Sequence, residues 1–332
     1  MHAMTEVARL GLTVTPTQFG SNKAESDSMV ETSFRATDEG PGRICPQVGP
    51  RSVSVNWGIE LPLNPFSRHP TFTALAAGGL DPREIHERLK EPEMREALMC
   101  ESDEGKGMRG YESSAADLKV LRGDAGEYEV VDQSLKVGAA AEAAGVSIWE
   151  FAYEELVTRN SIFSLPLNRK EGNLENAMVM MSQPVTRFGL GDGGAHLTSI
   201  MDAGFTTFML THYCRDRTAG RTMELEHVIK ILTSDNADLY NLHDRGLLAV
   251  GKKADINIID FDGLSLPAPV VKYDLPAGSR RLHQQAQGID ATIKSGVVIF
   301  SNGEPTGELP GKLLRGAQQA AATEEQAATT SA

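Results

Sequence analysis

Apolar and polar positions along this chain follow two periods in turn, one near two residues and one near three to four, the pattern of strands alternating with helices. Residues 12–18, Leu-Thr-Val-Thr-Pro-Thr-Gln, are rich in β-branched side chains and predict a strand. A helix is predicted over 26–36, and Arg43-Ile-Cys-Pro-Gln-Val48 is a second strand. Residues 49–70 hold several prolines and Trp57 and read as a long loop over the top of a scaffold. Charged helices follow over 81–90 and 93–100, then an acidic, glycine-rich stretch to Tyr111 and a short strand over 128–131. Helices are predicted over 135–144 and 147–159, a third strand of the same series over 161–165, a helix over 174–181 and a fourth strand over 186–190.

Beyond residue 190 the pattern predicts helices over 205–213, 222–233 and 236–242. It then changes. Residues 254–260 form a strand of alternating character, and 291–300 a hairpin turning at Ser295-Gly296. Residues 1–11 read as the end of an amphipathic helix running into a strand, an entry in mid-fold. The Ala/Gln/Thr/Glu-rich tail lacks large apolar residues and predicts disorder. The expected organisation is thus a β/α unit over 1–245, strands of a small flanking sheet over 246–316 and a disordered tail over 317–332.

One stretch carries most of the chemistry. In Phe188-Gly-Leu-Gly-Asp192-Gly-Gly-Ala-His196 an apolar run delivers a carboxylate into a glycine-rich loop. Parallel α/β barrels place catalytic groups in this way, at the C-terminal ends of strands. Asp192 reads either as such a group or as an Asx turn or helix cap. His196 could orient Asp192 or contact a substrate, or be satisfied by loop backbone. Arg215, next to Asp216 at the polar end of an apolar helix, is either a bidentate carboxylate binder or one half of a solvated ion pair. Arg51, just past the second strand, is a further candidate to bind a substrate carboxylate. His69 and His86 are expected at the surface, and Cys45 as a buried small side chain.

Composition narrows the partners. With 332 residues, 40% hydrophobic and 23% charged, the chain is long enough for a sizeable core. A net charge of −13 argues against nucleic acid or an anionic membrane. Three scattered cysteines form no disulfide framework, which suggests a reducing, cytoplasmic setting. No signal peptide opens the chain and no apolar run reaches transmembrane length.

The segments Gly189-Leu-Gly-Asp-Gly-Gly-Ala-His196, Leu242-His-Asp-Arg-Gly-Leu-Leu-Ala-Val-Gly-Lys-Lys-Ala-Asp-Ile-Asn257, Asp274-Leu-Pro-Ala-Gly-Ser-Arg-Arg281, Lys294-Ser-Gly-Val-Val298 and Gly303-Glu-Pro-Thr-Gly-Glu-Leu-Pro-Gly311 together resemble the D-aminoacylase, or N-acyl-D-amino-acid deacylase, branch of the amidohydrolases. The resemblance runs from about Val14 to Gly316. It implies an α/β fold, a TIM-like (β/α)8 barrel with a small appended β-sandwich. It also implies a zinc-dependent hydrolase of a non-peptide C–N amide bond, with Asp192 as acid/base and a small N-acyl amino acid as substrate.

The chain departs from that pattern. No His-x-His pair occurs, and residues 15–19 and 45–48, where relatives place histidine ligands, have none, so no metal ligand is identifiable. Four strands precede Asp192 where a barrel has eight. The expectation is the C-terminal part of a longer protein, one that self-associates or joins a missing N-terminal half. Two alternatives stay open: an inactive remnant or subunit that needs another chain, and a cyclic amidase of the dihydropyrimidinase type.

Overall fold

A computed structural model describes residues 2–18, 22–103, 115–121, 134, 136–167, 174–189, 191 and 194–319. Helix His2–Arg9 leads into strand Thr13–Val14, and the turn between them closes tightly on Gly42. A Cβ there would stand 2.2 Å from the Ala8 carbonyl and 2.4 Å from that of Leu12, so only glycine fits. Helix Lys23–Glu39, capped by the Asn22 side chain on the Glu25 amide, returns the chain to strand Arg43–Ile44.

The central feature is a parallel ladder. Thr13–Val14 pairs with Arg43–Ile44, Thr17–Gln18 with Gln47–Val48, and Gln47–Val48 with Arg187–Phe188. Its bonds run from the amides of Cys45 and Gln47 to the carbonyls of Val14 and Pro16, and from Arg187 and Gly189 to Pro46 and Val48. Pro16 and Pro46 accept from this ladder but cannot donate, which interrupts each strand into two-residue segments.

Between Val48 and Arg187 lies an insertion with its own sheet. Ser54–Trp57, Ile162–Pro166 and Lys119–Leu121 form an antiparallel sheet in the order first, second, third as written. Helices Pro70–Ala77, Pro82–Leu89, Pro92–Asp103, Val137–Ala144 and Ile148–Tyr153 cover it. Capping boxes, Asp81 with Glu84 and Ser147 with Glu150, start two of these helices. Trp57, Phe66, Leu89, Leu98, Leu118, Leu156 and Phe163 form a separate core inside it.

This corrects two expectations. The strand near 161–165 exists, but it pairs antiparallel inside the insertion, so the described residues hold three parallel strands rather than four. The supposed loop over 49–70 contains the strand Ser54–Trp57. The short strand expected over 128–131 lies outside the described residues.

After the third parallel strand, helix Phe205–Phe208 continues into a π-helical segment, Met209–Asp216, followed by helices Leu225–Leu232 and Ser234–Leu239. The apolar faces of the first three pack with Val48, Met178, Leu264 and Leu266 in a second core. The chain then forms a four-stranded antiparallel sheet from Ile256–Ile259, Ile289–Lys294, Val297–Ser301 and Glu304–Pro305. Ser295 (φ +52°) and Gly296 (φ +82°) make the expected tight turn, with both central residues in the left-handed region. A separate hairpin, Val270–Lys272 with Arg281–His283, lies between. No described helix is long and apolar enough to cross a membrane. Of the expected disordered tail, Gln318 pairs with backbone at Asn241 and His243, and residues 320–332 lie outside the described residues.

Candidate functional site

The loop that leaves strand Arg187–Phe188 is held from three directions. Val48 and Phe188 pack into the helical core, so alternation turns Gln47 and Arg187 to the opposite face of the strands. A Cβ on Gly189 would lie 2.9 Å from Gln47 Oε1, so the Gln47 amide fills the space that glycine leaves at the strand end. Asp192 itself lies outside the described residues. Farther along, the exposed His196 adopts φ +51°, and its carbonyl accepts from the amides of Ser199 (2.8 Å) and Ile200 (2.9 Å) in a tight turn.

Each anchor comes from a different part of the chain. The Leu282 amide, on the hairpin, donates to the Leu197 carbonyl at 2.8 Å. Asn56, on the insertion sheet, donates to the Ser199 carbonyl from its backbone (2.7 Å) and from its side chain (3.0 Å). Arg51, past the neighbouring parallel strand, donates to the Met201 carbonyl at 2.6 Å. A small core of Leu61, Leu121, Ile162, Met201 and Leu282 seals the junction. Asn56 and Leu282 escaped sequence reasoning because backbone-directed contacts leave no motif.

The two candidate arginines are both engaged within the fold. Arg51 is 2% exposed, stands 3.8 Å from Asp202 and lies with its guanidinium carbon 4.7 Å from the centre of the Phe205 ring. Its neighbour Pro50 accepts from the buried Tyr213 hydroxyl at 2.5 Å. Arg215 forks onto Asp216 (2.6 and 2.9 Å) and donates to the carbonyls of Phe261, Asp262 and Leu264, tying the π-helical segment to the loop after strand Ile256–Ile259. The expected ion pair with Asp216 is present, with three backbone acceptors added to it.

His69 and His86 are buried rather than on the surface. His69 Nε2 lies 2.8 Å from Ser102 Oγ, and burial among Phe66 and Trp149 pushes its pKa down. His86 sits between Glu60 (2.9 Å) and the Val157 carbonyl (2.8 Å), and the Tyr273 hydroxyl donates to the other Glu60 oxygen at 2.6 Å. This network joins the insertion to the hairpin that carries Leu282. Periodicity missed it because the charged helix Pro82–Leu89 turns its one histidine inward. Cys45 is buried as expected, and burial raises its thiol pKa.

The Asp-Arg-Gly and Ala-Asp-Ile segments, prominent in the sequence, build an ion-pair network. Asp244 binds Arg245 and Lys253, while Asp255 binds Lys294, the Ser295 amide and Arg245. Hydrogen bonding from Arg245 and then Lys253 holds Asp244 far below the usual carboxylate range, against the effect of burial. Among the described residues no three His, Cys, Asp or Glu side chains gather to hold a metal ion. These residues therefore do not fit the zinc that the resemblance implies.

Comparison with known proteins places the chain. The sequence profile of the amidohydrolase family matches residues 2–300, and the chain belongs to that family. No curated protein matches the sequence. Similar solved structures include a D-aminoacylase described as defining a subset of amidohydrolases and one described for its binuclear metal centre, each 12% identical. A D-aminoacylase variant in complex with CuCl2 is 13% identical. All three have a TM-score of 0.43 and cover 92% of this chain. This chain covers 51% of each, and so spans about half their length.

Proposed function

We propose that this chain is part of a (β/α)8-barrel hydrolase that cleaves the C–N bond of an N-acyl-D-amino acid, and that Asp192 moves the proton. Family membership supports a hydrolase of this class. The observation that carries the assignment of Asp192 is the anchoring of its loop: Arg51, Asn56 and Leu282 fix residues 197–201 on three sides. A catalytic carboxylate needs such support, because small errors in placement are costly. Water adds to the substrate carbonyl and yields its proton to the Asp192 carboxylate. The C–N bond then breaks as that proton passes to the leaving amine. His196, exposed on the same loop, contacts the substrate. Zinc is expected of the complete protein, and its ligands are not identifiable in this chain. The three free cysteines suit a cytoplasmic setting.

A second reading, a subunit that works only with another polypeptide, is favoured by the parallel sheet. Among the described residues, strands Thr17–Gln18 and Arg187–Phe188 each have a neighbour on one side alone. Parallel sheets are ordinarily covered and closed.

Hydrolysis of N-acetyl-D-amino acids, measured for the chain alone and with a polypeptide supplying further barrel strands, tests both readings. Asp192→Asn is expected to lower turnover about 10²–10⁴-fold wherever activity is found. Full activity in that variant refutes the assignment, and activity of the isolated chain refutes the subunit reading.

A further inference from the structure

His86, the one histidine of helix Pro82–Leu89, is 4% exposed, and both of its ring nitrogens face oxygen. Nε2 lies 2.8 Å from the carbonyl of Val157, in the π-helical segment Glu154–Thr158, and Nδ1 lies 2.9 Å from Glu60 Oε1. A carbonyl can only accept, so Nε2 carries a proton. The group facing Nδ1 is a carboxyl whose other oxygen already accepts from the Tyr273 hydroxyl at 2.6 Å. The hydrogen bond with His86 holds that carboxyl below the usual carboxylate range, against burial, and Tyr273 and the charge of Arg83 add to the effect. An ionised carboxylate is also an acceptor only, so Nδ1 carries a proton as well.

We infer that His86 is an imidazolium in the folded protein and forms a proton-dependent latch with Glu60 and Tyr273, which frees the hairpin Val270–Lys272 and Arg281–His283 from the insertion when rising pH removes that proton. A buried ion pair is tolerated where its remaining polar atoms are satisfied. Here both ring nitrogens and both carboxylate oxygens have partners. A neutral ring cannot serve both sides. With one proton it must turn a bare nitrogen toward the Val157 carbonyl or the Glu60 carboxylate, lone pair against lone pair. The latch is made with the charged ring, so it holds at low pH and is lost as pH rises through the titration of the folded ring. Burial and then the bond to Glu60 push the Tyr273 pKa up, so its hydroxyl keeps its proton meanwhile. The other charges nearby are engaged. Arg83 pairs with Asp81 at 3.1 Å and stacks on Tyr273, and Glu87 pairs with Lys90 at 2.6 Å. Glu155, beside Val157, accepts from Arg159 and Ser161, and Arg280 acts on Tyr273 by its charge. The hairpin also holds the Leu197 carbonyl through the Leu282 amide, so its release reaches that loop.

Proton–nitrogen correlation spectra of the histidine rings, taken on the full 332-residue chain, read the proton directly. The His86 ring is identified among the eight histidines by its loss in His86→Gln, or by its displacement in Glu60→Gln if the first variant fails to fold. Both of its nitrogens are expected to carry protons at pH 7, and a bare Nδ1 there overturns the inference. As pH is raised the ring should titrate. At the same midpoint, amide exchange over 270–272 and 281–283, corrected for its intrinsic pH dependence, should accelerate about tenfold or more. Exchange over 148–153, in the insertion core, should stay unchanged. Acceleration at another midpoint, acceleration in both regions together, or a ring that keeps its proton until the chain unfolds overturns the latch. Glu60→Gln supplies a second arm. Its amide nitrogen can donate to a bare Nδ1 while its oxygen accepts from Tyr273, so a neutral ring suffices and the hairpin should no longer loosen with pH. Loosening equal to that of the wild type in this variant overturns the inference.

Discussion

Removing one oxygen at Tyr273 tests how the hairpin is held to the insertion. Its hydroxyl donates to Glu60 Oε2 at 2.6 Å, while His86 holds Oε1 at 2.9 Å, and Glu60 is only 8% exposed. Tyr273→Phe keeps the ring, and with it the stacking of Arg83 at 4.4 Å, but leaves a buried carboxylate short of a donor. A charge-assisted bond of this kind contributes about 1.5–3 kcal/mol, and that is the expected loss at pH 7. The loss should depend on pH. The hydrogen bond with His86 lowers the Glu60 pKa, burial works against it, and the Tyr273 hydroxyl adds to the lowering. A carboxylate with a depressed pKa contributes stability above its unfolded value and loses it as pH falls through the folded one. At pH values below that folded one the variant should therefore approach the wild type, with a difference of about 1 kcal/mol or less, that of a neutral hydrogen bond. Urea titrations followed by tryptophan fluorescence give both values. Trp57 and Trp149, the only two tryptophans, belong to the insertion core and report on the element the latch holds. A loss below about 0.5 kcal/mol at pH 7, within the range of an ordinary surface change, would refute the reasoning. So would an equal loss at both pH values.

Two further outcomes follow from packing. Gly42→Ala forces a Cβ to within 2.2 Å of the Ala8 carbonyl, against backbone that cannot swing aside, and should cost about 3 kcal/mol or more in a urea titration. A loss under about 1 kcal/mol would show that the helix His2–Arg9 yields easily. In a thiol titration at pH 8, exposed Cys100 should react fast, while Cys214, pushed up to about 11 chiefly by burial, and buried Cys45 stay silent until denaturant exposes all three. Equal rates for Cys100 and Cys214 would contradict the burial argument.

Much of this architecture is legible in the sequence wherever the signal is local. The helices near 81–90 and 93–100 form as Pro82–Leu89 and Pro92–Asp103, because caps and prolines act within a few residues. The Ser295-Gly296 turn forms where the hairpin pattern puts it. The arginines tell the opposite story. Arg51 follows a strand and Arg215 ends an apolar helix, positions that equally suit a ligand contact or an internal clamp. Partners remote in sequence decide between these: Met201 and Asp202 for the one, Phe261 to Leu264 for the other.

By itself the sequence determined the order and type of most elements, the family, and the glycine-rich loop that bears Asp192. Those rest on periodicity, turn chemistry and motif, all of which are encoded among near neighbours. Only the tertiary structure decided that residues 162–166 pair antiparallel inside an insertion and that His69 and His86 are buried. It alone brought Arg51, Asn56 and Leu282 onto one loop. The physical reason is that a strand or a charged side chain carries its bonding capacity in its own chemistry, while its partner is set by which distant surfaces the packed cores bring together.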